Sequence, residues 1–236
     1  MSIQSKAGFV KLILLDVDGV LTDGTVVLHA DGTESKTFGI RDGIALVWAQ
    51  RSGLKVGLLS ARTSATTPHR AAQLGIALVH QGVTNKLEAY DRIVAEAGVS
   101  DAEVAYMADD IVDLAVLGRV GLSAAPADAV PEVLSCVDWI SRAIGGHGAV
   151  RELVETVLRA QKRWQPIVAS YTGGSASEAG RSSRPVQRGA GASGAGAAAL
   201  DHAGARRRAH VKDMPARGGA RASGAGVGVG PRARKK

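Results

Sequence analysis

Asp16 and Asp18 stand one residue apart in Asp16-Val17-Asp18-Gly19-Val20-Leu21-Thr22, where an apolar run gives way to a glycine turn. Two carboxylates in that position can divide the work of a two-step transfer. Asp16 is the first polar group off the run and is the candidate nucleophile, able to form an acyl phosphate. Asp18 can protonate a leaving alkoxide and later deprotonate water. Other reactive groups follow later runs: Ser60 and Arg62, then Lys86, then Asp109, Asp110 and Asp113. Clustered carboxylates repel one another unless a cation compensates. A hard divalent ion with oxygen ligands does so, and Mg²⁺ is the usual choice beside phosphate. Ser60 and Lys86 are poor ligands for such an ion but suit phosphoryl oxygens. The set points to metal-assisted phosphoryl transfer. The barrier is high, since enzymes acting on phosphate monoesters accelerate hydrolysis by up to ~10²¹-fold.

Such groups must be brought together by the elements around them. The apolar run Phe9–Val17 predicts a buried strand. Thr25–Leu28 and Ser35–Phe38 flank Asp31-Gly32 and predict a β-hairpin. Helices are expected over Gly43–Arg51, Ser64–Leu74, Leu87–Ala97, Ile111–Leu117 and Ala149–Lys162. Strands are expected over Lys55–Leu59, Ala77–His80, Val104–Met107, Val120–Leu122 and Val137–Ile140. Alternating strands and helices with short connections specify an α/β fold: a doubly wound, Rossmann-like parallel sheet covered on both faces. Ligands of such sheets bind beyond the carboxyl ends of the strands. That is where Asp16, Ser60 and Asp109 fall.

Composition narrows the class. Hydrophobic residues make up 45% of the 236 and aromatics only 3%, so the core must be chiefly Ala, Val, Leu and Ile. The net charge of +7 is unevenly spread. Residues 1–165 hold 16 Lys/Arg against 19 Asp/Glu, a net of −3, and residues 166–236 hold 13 against 3, a net of +10. We therefore divide the chain into a catalytic domain, 1–165, and a basic Gly/Ala/Arg-rich tail, 166–236, expected to be disordered. Nucleic acid is not the expected partner despite that tail. A single cysteine, Cys136, rules out an internal disulfide and is read as a small core residue. No apolar stretch suits a signal peptide or membrane span, so a cytoplasmic protein is expected.

In this order and at these strand ends, Asp16-Val-Asp-Gly-Val-Leu-Thr22, Ser60, Lys86 and Asp109-Asp-x-x-Asp113 resemble the four motifs of haloacid dehalogenase-like phosphatases. Arg41-Asp-Gly43, Arg62-x-Ser64, Gln81-Gly82, Val120-Gly-Leu-Ser123 and Gly145-Gly-x-Gly-Ala-Val-Arg-Glu152 are similar to one branch, the 3-deoxy-D-manno-octulosonate 8-phosphate (KDO 8-phosphate) phosphatases. The resemblance covers about residues 10–164. It implies that Asp16 is nucleophile and metal ligand, and that Asp18 is acid/base and ligates through its carbonyl. Asp109 would be the further Mg²⁺ ligand, supported by Asp110, while Asp113 orients the loop or Lys86. Ser60 and Lys86 would bind phosphate. Arg41, Arg62 and Ser64 would face the sugar acid phosphate or an adjoining subunit.

Four features depart from the family pattern: Ala108 stands where Gly usually precedes the Asp pair, Ser60-Ala61-Arg62 replaces Thr-Gly-Arg, Asn85 stands where Asp often precedes the motif Lys, and the tail runs past the point where the family's chain usually ends. Alanine is harmless there only if the local φ is negative. The intervals between motifs, 44 residues from Asp16 to Ser60, 26 to Lys86 and 23 to Asp109, leave no room for a cap domain. The hairpin is then the closing surface, and a homo-oligomer is expected; the resemblance implies a tetramer. Two other readings are carried: a nonulosonate 9-phosphate phosphatase, and a non-catalytic module whose basic tail docks nucleic acid or membrane.

Overall fold

The apolar run before Asp16 is two elements. In the computed structural model, which describes residues 1–172, the Ser2 side chain accepts a hydrogen bond from Ser5 N (3.2 Å) and starts helix α1, Ile3–Phe9. Strand β1 then takes only Leu12–Leu15. The hairpin follows as β2 (Val27–Leu28) and β3 (Glu34–Ser35), shorter than expected, with Val27 opposite Ser35. Asp31 Oδ1 closes its turn by accepting from Thr33 N (2.9 Å), beside Gly32 at φ +84°.

The remaining elements alternate as anticipated. They run α2 (Ile40–Arg51), β4 (Lys55–Leu59), α3 (Thr66–Leu74), β5 (Leu78–His80), α4 (Lys86–Ala97) and β6 (Val104–Met107). A 3₁₀ turn over Ile111–Asp113 leads into α5 (Leu114–Leu117), so the helix expected over Ile111–Leu117 is split. Then come β7 (Leu122–Ala125), the unanticipated α6 (Pro131–Leu134), β8 (Trp139–Ile140) and α7 (Ala149–Ala160). Strand β7 starts two residues late because Gly121 is a point of close approach. Its N–H donates to Asp101 O (2.7 Å), and a Cβ there would lie 2.3 Å from Ala102 O.

The chain does not break at Pro166. Helix α8 (Trp164–Tyr171) packs back on α2, with Trp48 edge-to-face against both Trp164 and Tyr171 and Trp48 Nε1 donating to Tyr171 Oη at 3.0 Å. Helix α8 thus runs across the expected boundary at 165/166, and the tail beyond Thr172 lies outside the described residues.

Six parallel strands form one sheet in the order β5-β4-β1-β6-β7-β8. Side chains of β1 alternate between two cores, as the two-residue strand period requires. Ile13 and Leu15 join α1, α2 and α7; Leu12 and Leu14 join α4 to α6. This is the doubly wound architecture. Cys136, two residues past the end of α6, lies outside both cores and is exposed, so the expectation of a small core residue is corrected.

Candidate active site

Strands β4, β1 and β6 are neighbours, so their carboxyl ends bring Ser60, Asp16 and Asp109 side by side. Lys86 arrives from the next loop as the first residue of α4. Asn85 fixes that start, its Oδ1 accepting from Leu87 N (3.1 Å) and Glu88 N (3.2 Å) as an N-cap. Asp16, Asp18, Ser60, Arg62, Lys86 and Asp109 all line one cleft of about 290 Å³, with Asp110 at its edge.

The Lys86 side chain is buried, 4% exposed, between two carboxylates. Its Nζ lies 3.0 Å from Asp16 Oδ2 and 2.6 Å from Asp113 Oδ1. Tyr106, on β6, donates its hydroxyl to the same Asp113 oxygen. Asp16 also accepts from Val17 N at 2.7 Å. The Asp16 carboxyl is held up at about 7, chiefly by burial, with Lys86 pulling it down and the Asp113 charge pushing it up. Asp109 rises to about 6, chiefly through burial and then the Asp113 charge. Burial opposes the charge on Lys86, but Asp16 and Asp113 together hold its pKa above the ordinary value.

The cleft therefore carries more buried negative charge than Lys86 can offset, and a divalent cation would redress this. Asp109 Oδ1 is buried without a hydrogen-bond partner, as an oxygen reserved for an ion would be. Among the described residues no group of three His, Cys, Asp or Glu side chains forms a ready cage. Mg²⁺ does not need one, since it is commonly held by one or two carboxylates with water and phosphate. The donor set of Asp16, Asp109 and the Asp18 carbonyl fits that chemistry.

Ser60 is buried, with its N–H on His80 O (2.8 Å) and its Oγ accepting from Arg62 N (3.3 Å). Among the described residues its hydroxyl proton goes to no neighbour. Neither alanine departure is strained: Lys162 is the only described non-glycine residue with positive φ, so Ala61 and Ala108 fit their turns. Asp110 is exposed and caps the 3₁₀ turn, accepting from Ile111 N at 2.7 Å. Arg62 stands at the mouth, its Nη2 on Glu34 Oε2 (3.0 Å) and its Nε 3.7 Å from Asp18 Oδ2. Two expected residues are elsewhere. Arg41 is exposed on the first turn of α2 and does not line the cleft. Ser64 is buried in the loop before α3, its N–H donating to Gln81 Oε1 (3.1 Å).

Sequence reasoning missed Tyr106, whose hydroxyl is the one polar tip in an apolar strand, and Lys36. The Lys36 side chain is 0% exposed, and its Nζ lies 2.7 Å from Asp18 Oδ1 and 3.0 Å from Oδ2. Nothing local marks it, because a lysine beside a hairpin strand ordinarily faces water.

Gly19 makes the metal-side geometry possible. It sits at φ +84°, and a Cβ there would fall 2.0 Å from Asp109 Oδ2. Gly19→Ala is expected to cost about 1–2 kcal/mol through the left-handed backbone alone. It should also weaken divalent-cation affinity about 10–100-fold by displacing Asp109. Urea melts and calorimetric titration with Mg²⁺ would read the two effects separately.

No family model matches the chain. The 3-deoxy-D-manno-octulosonate 8-phosphate phosphatase KdsC of Escherichia coli (strain K12) is 40% identical over 157 residues, 66% of this chain and 84% of the relative. That of Yersinia pestis is 37% identical over 158 residues, 67% and 84% respectively. Among solved structures, the phosphatase from Moraxella catarrhalis in complex with magnesium ion, phosphate ion and KDO has a TM-score of 0.70 at 34% identity, covering 72% of this chain and 97% of that one. The cobalt-bound form from Haemophilus influenzae has a TM-score of 0.68 at 36% identity, covering 70% and 97%.

Proposed function

Because the chain belongs to the KDO 8-phosphate phosphatases of the haloacid dehalogenase superfamily, we propose that it hydrolyses KDO 8-phosphate to KDO and inorganic phosphate with Mg²⁺. In that role it supplies KDO for the lipopolysaccharide core. The carrying observation is the buried Lys86 held against Asp16 at 3.0 Å in a cleft that also presents Asp18, Ser60 and Asp109.

Ser60 and Lys86 hold the phosphoryl oxygens, and Asp113 keeps Lys86 in place. A carboxylate oxygen of Asp16 attacks phosphorus while the bond to the sugar oxygen breaks, and Asp18 gives that oxygen a proton. Asp18 then takes a proton from the water that cleaves the acyl phosphate, which frees Asp16 and phosphate. Asp16, the Asp18 carbonyl and Asp109 would hold Mg²⁺, with Asp110 beside them; when bound it neutralises charge on the phosphoryl group.

The raised carboxyl values set a pH dependence. Asp16 and Asp109 bind protons more tightly folded than unfolded, from an ordinary 3.8 up to about 7 and about 6. Their contribution to stability is full below about pH 4 and is lost as pH rises through those values. In EDTA the melting temperature should therefore fall between pH 5 and pH 8. Added Mg²⁺ should raise it more at pH 8 than at pH 5.

The decisive assay is phosphate release from KDO 8-phosphate with Mg²⁺ and with EDTA, beside a nonulosonate 9-phosphate. Metal-dependent release favouring the eight-carbon ester supports the reading. Preference for the nine-carbon ester replaces the substrate, and no release from either replaces the reaction. We keep the basic tail as a separate, dispensable segment, to be tested by truncation after Thr172 so that α8 stays whole. We also propose a homotetramer in the cytoplasm. In support, Val27, Leu28 and Ile40, at or beside the hairpin, are 55%, 75% and 76% exposed, which suits a subunit interface. No helix among the described residues is long and apolar enough to cross a membrane. Light scattering would give the mass.

A further inference from the structure

We propose that Lys36 is a positioning residue for Asp18, through which the hairpin sets the geometry of leaving-group protonation; this rests on the phosphatase reading above. Asp16 and Asp110 are each held by a backbone N–H, from Val17 and Ile111. No such N–H reaches the Asp18 carboxylate. Among the described residues its one hydrogen-bond donor is Lys36 Nζ, which donates to Oδ2 at 3.0 Å and holds Oδ1 at 2.7 Å by charge alone, since that oxygen accepts no hydrogen bond. The turn carrying Asp18 constrains its backbone, not its side-chain torsions. Lys36 supplies the missing constraint.

The arrangement is a closed ring. Glu34 Oε1 lies 3.9 Å from Lys36 Nζ, Glu34 Oε2 accepts from Arg62 at 3.0 Å, and Arg62 Nε returns to within 3.7 Å of Asp18. Glu34 and Lys36 come from the hairpin, Arg62 from the loop after β4, and Asp18 from the loop after β1. A fully buried ammonium needs a paired partner. Placing it on Asp18 couples the seating of the hairpin to the torsion of the acid. In the step concerned, the Asp16–phosphorus bond forms, the phosphorus–oxygen ester bond breaks, and the Asp18 proton passes to the departing oxygen. A few tenths of an ångström at Asp18 bear on that last transfer alone.

The test measures kcat/KM, which reports steps up to release of the alcohol, for the wild type, Lys36→Met and Lys36→Arg. Substrates are KDO 8-phosphate and a series of substituted phenyl phosphates of one size and graded leaving-group basicity. Misplaced proton donation hurts only esters whose leaving group needs the proton. Lys36→Met is expected to lose about 10–100-fold on KDO 8-phosphate, at or below the lower end of the ~10²–10⁴-fold that general acid catalysis contributes, because the acid is misplaced and not removed. It should lose at least about tenfold less on p-nitrophenyl phosphate, so that the dependence on leaving-group basicity steepens. Equal losses across the series, or none, overturn the proposal and leave Lys36 as a hairpin anchor. If Lys36→Met fails to fold by circular dichroism, Lys36→Arg decides. Its bulkier fork must shift Asp18, so a steepened series supports the proposal and an unchanged slope overturns it. A wild type inactive on every ester overturns the phosphatase reading instead.

Discussion

Replacing Asp16 with Asn is expected to lower phosphate release by on the order of 10⁵–10⁶-fold, the scale seen when a covalent nucleophile is removed, while the chain stays folded. An amide oxygen is too weak a nucleophile to form the acyl phosphate. The fold has little reason to suffer. The amide oxygen can still accept from Val17 N, now 2.7 Å from Asp16 Oδ1, and one buried negative charge disappears from a cleft that has too many. In EDTA at neutral pH the variant should melt at or above the wild-type temperature. Inactivity with unchanged or raised stability assigns Asp16 to the chemistry. Inactivity with a collapsed melting temperature would make it a structural residue.

Lys86→Met should behave in the opposite way, losing both activity and stability. Among the described residues its Nζ is the only charged partner of Asp113, which is fully buried, and it also neutralises Asp16. Removing one partner of a buried pair leaves an uncompensated charge, which typically costs 3–5 kcal/mol, here about that amount. The orphaned carboxylates respond by taking up protons. The deficit against wild type should therefore grow as pH rises and shrink in acid. Release should fall about 10³-fold or more, because the phosphoryl group loses a cation and Asp16 spends more time protonated. Adding Asp113→Asn separates the effects: it should recover much of the stability and none of the activity. Denaturant midpoints at two pH values and steady-state rates for both variants would decide it.

Much of the site was legible because its chemistry is local. Asp16-Val-Asp-Gly and Ser60 directly follow strands, Lys86 begins a helix, Asp109-Asp comes one residue after β6, and parallel strands leave their ends on one edge. The core strands were legible for the same reason, since β1, β4 and β6 are apolar runs buried on both faces. What escaped depends on distant partners. Helix α1 is seven residues with one buried side chain, Ala7, too short to show a period, so the apolar pattern places Phe9 in the strand. The start of β7 turns on Gly121 meeting Ala102, a contact made nineteen positions back. Helix α8 is held by Trp48, more than a hundred residues away. Lys36 reaches Asp18 only because a hairpin folds over, and no residue-type pattern encodes that reach. Arg41 lies outside the cleft, exposed on the first turn of α2, and its expected place against the substrate or an adjoining subunit stays a proposal.

The sheet order also sets how local opening is distributed. Strand β1 is paired on both sides, by β4 and β6, over its whole length, and packs against helices on both faces. Its amides are expected to exchange with solvent only when the domain unfolds as a unit. Asp16 is therefore anchored to a strand that is paired on both edges and covered on both faces. The hairpin is joined by two residue pairs and exposes Val27 and Leu28, so its amides belong to the low-energy end of the same scale. The cleft thus has a rigid floor and a compliant rim, so the rim can open for a sugar without disturbing the nucleophile beneath it.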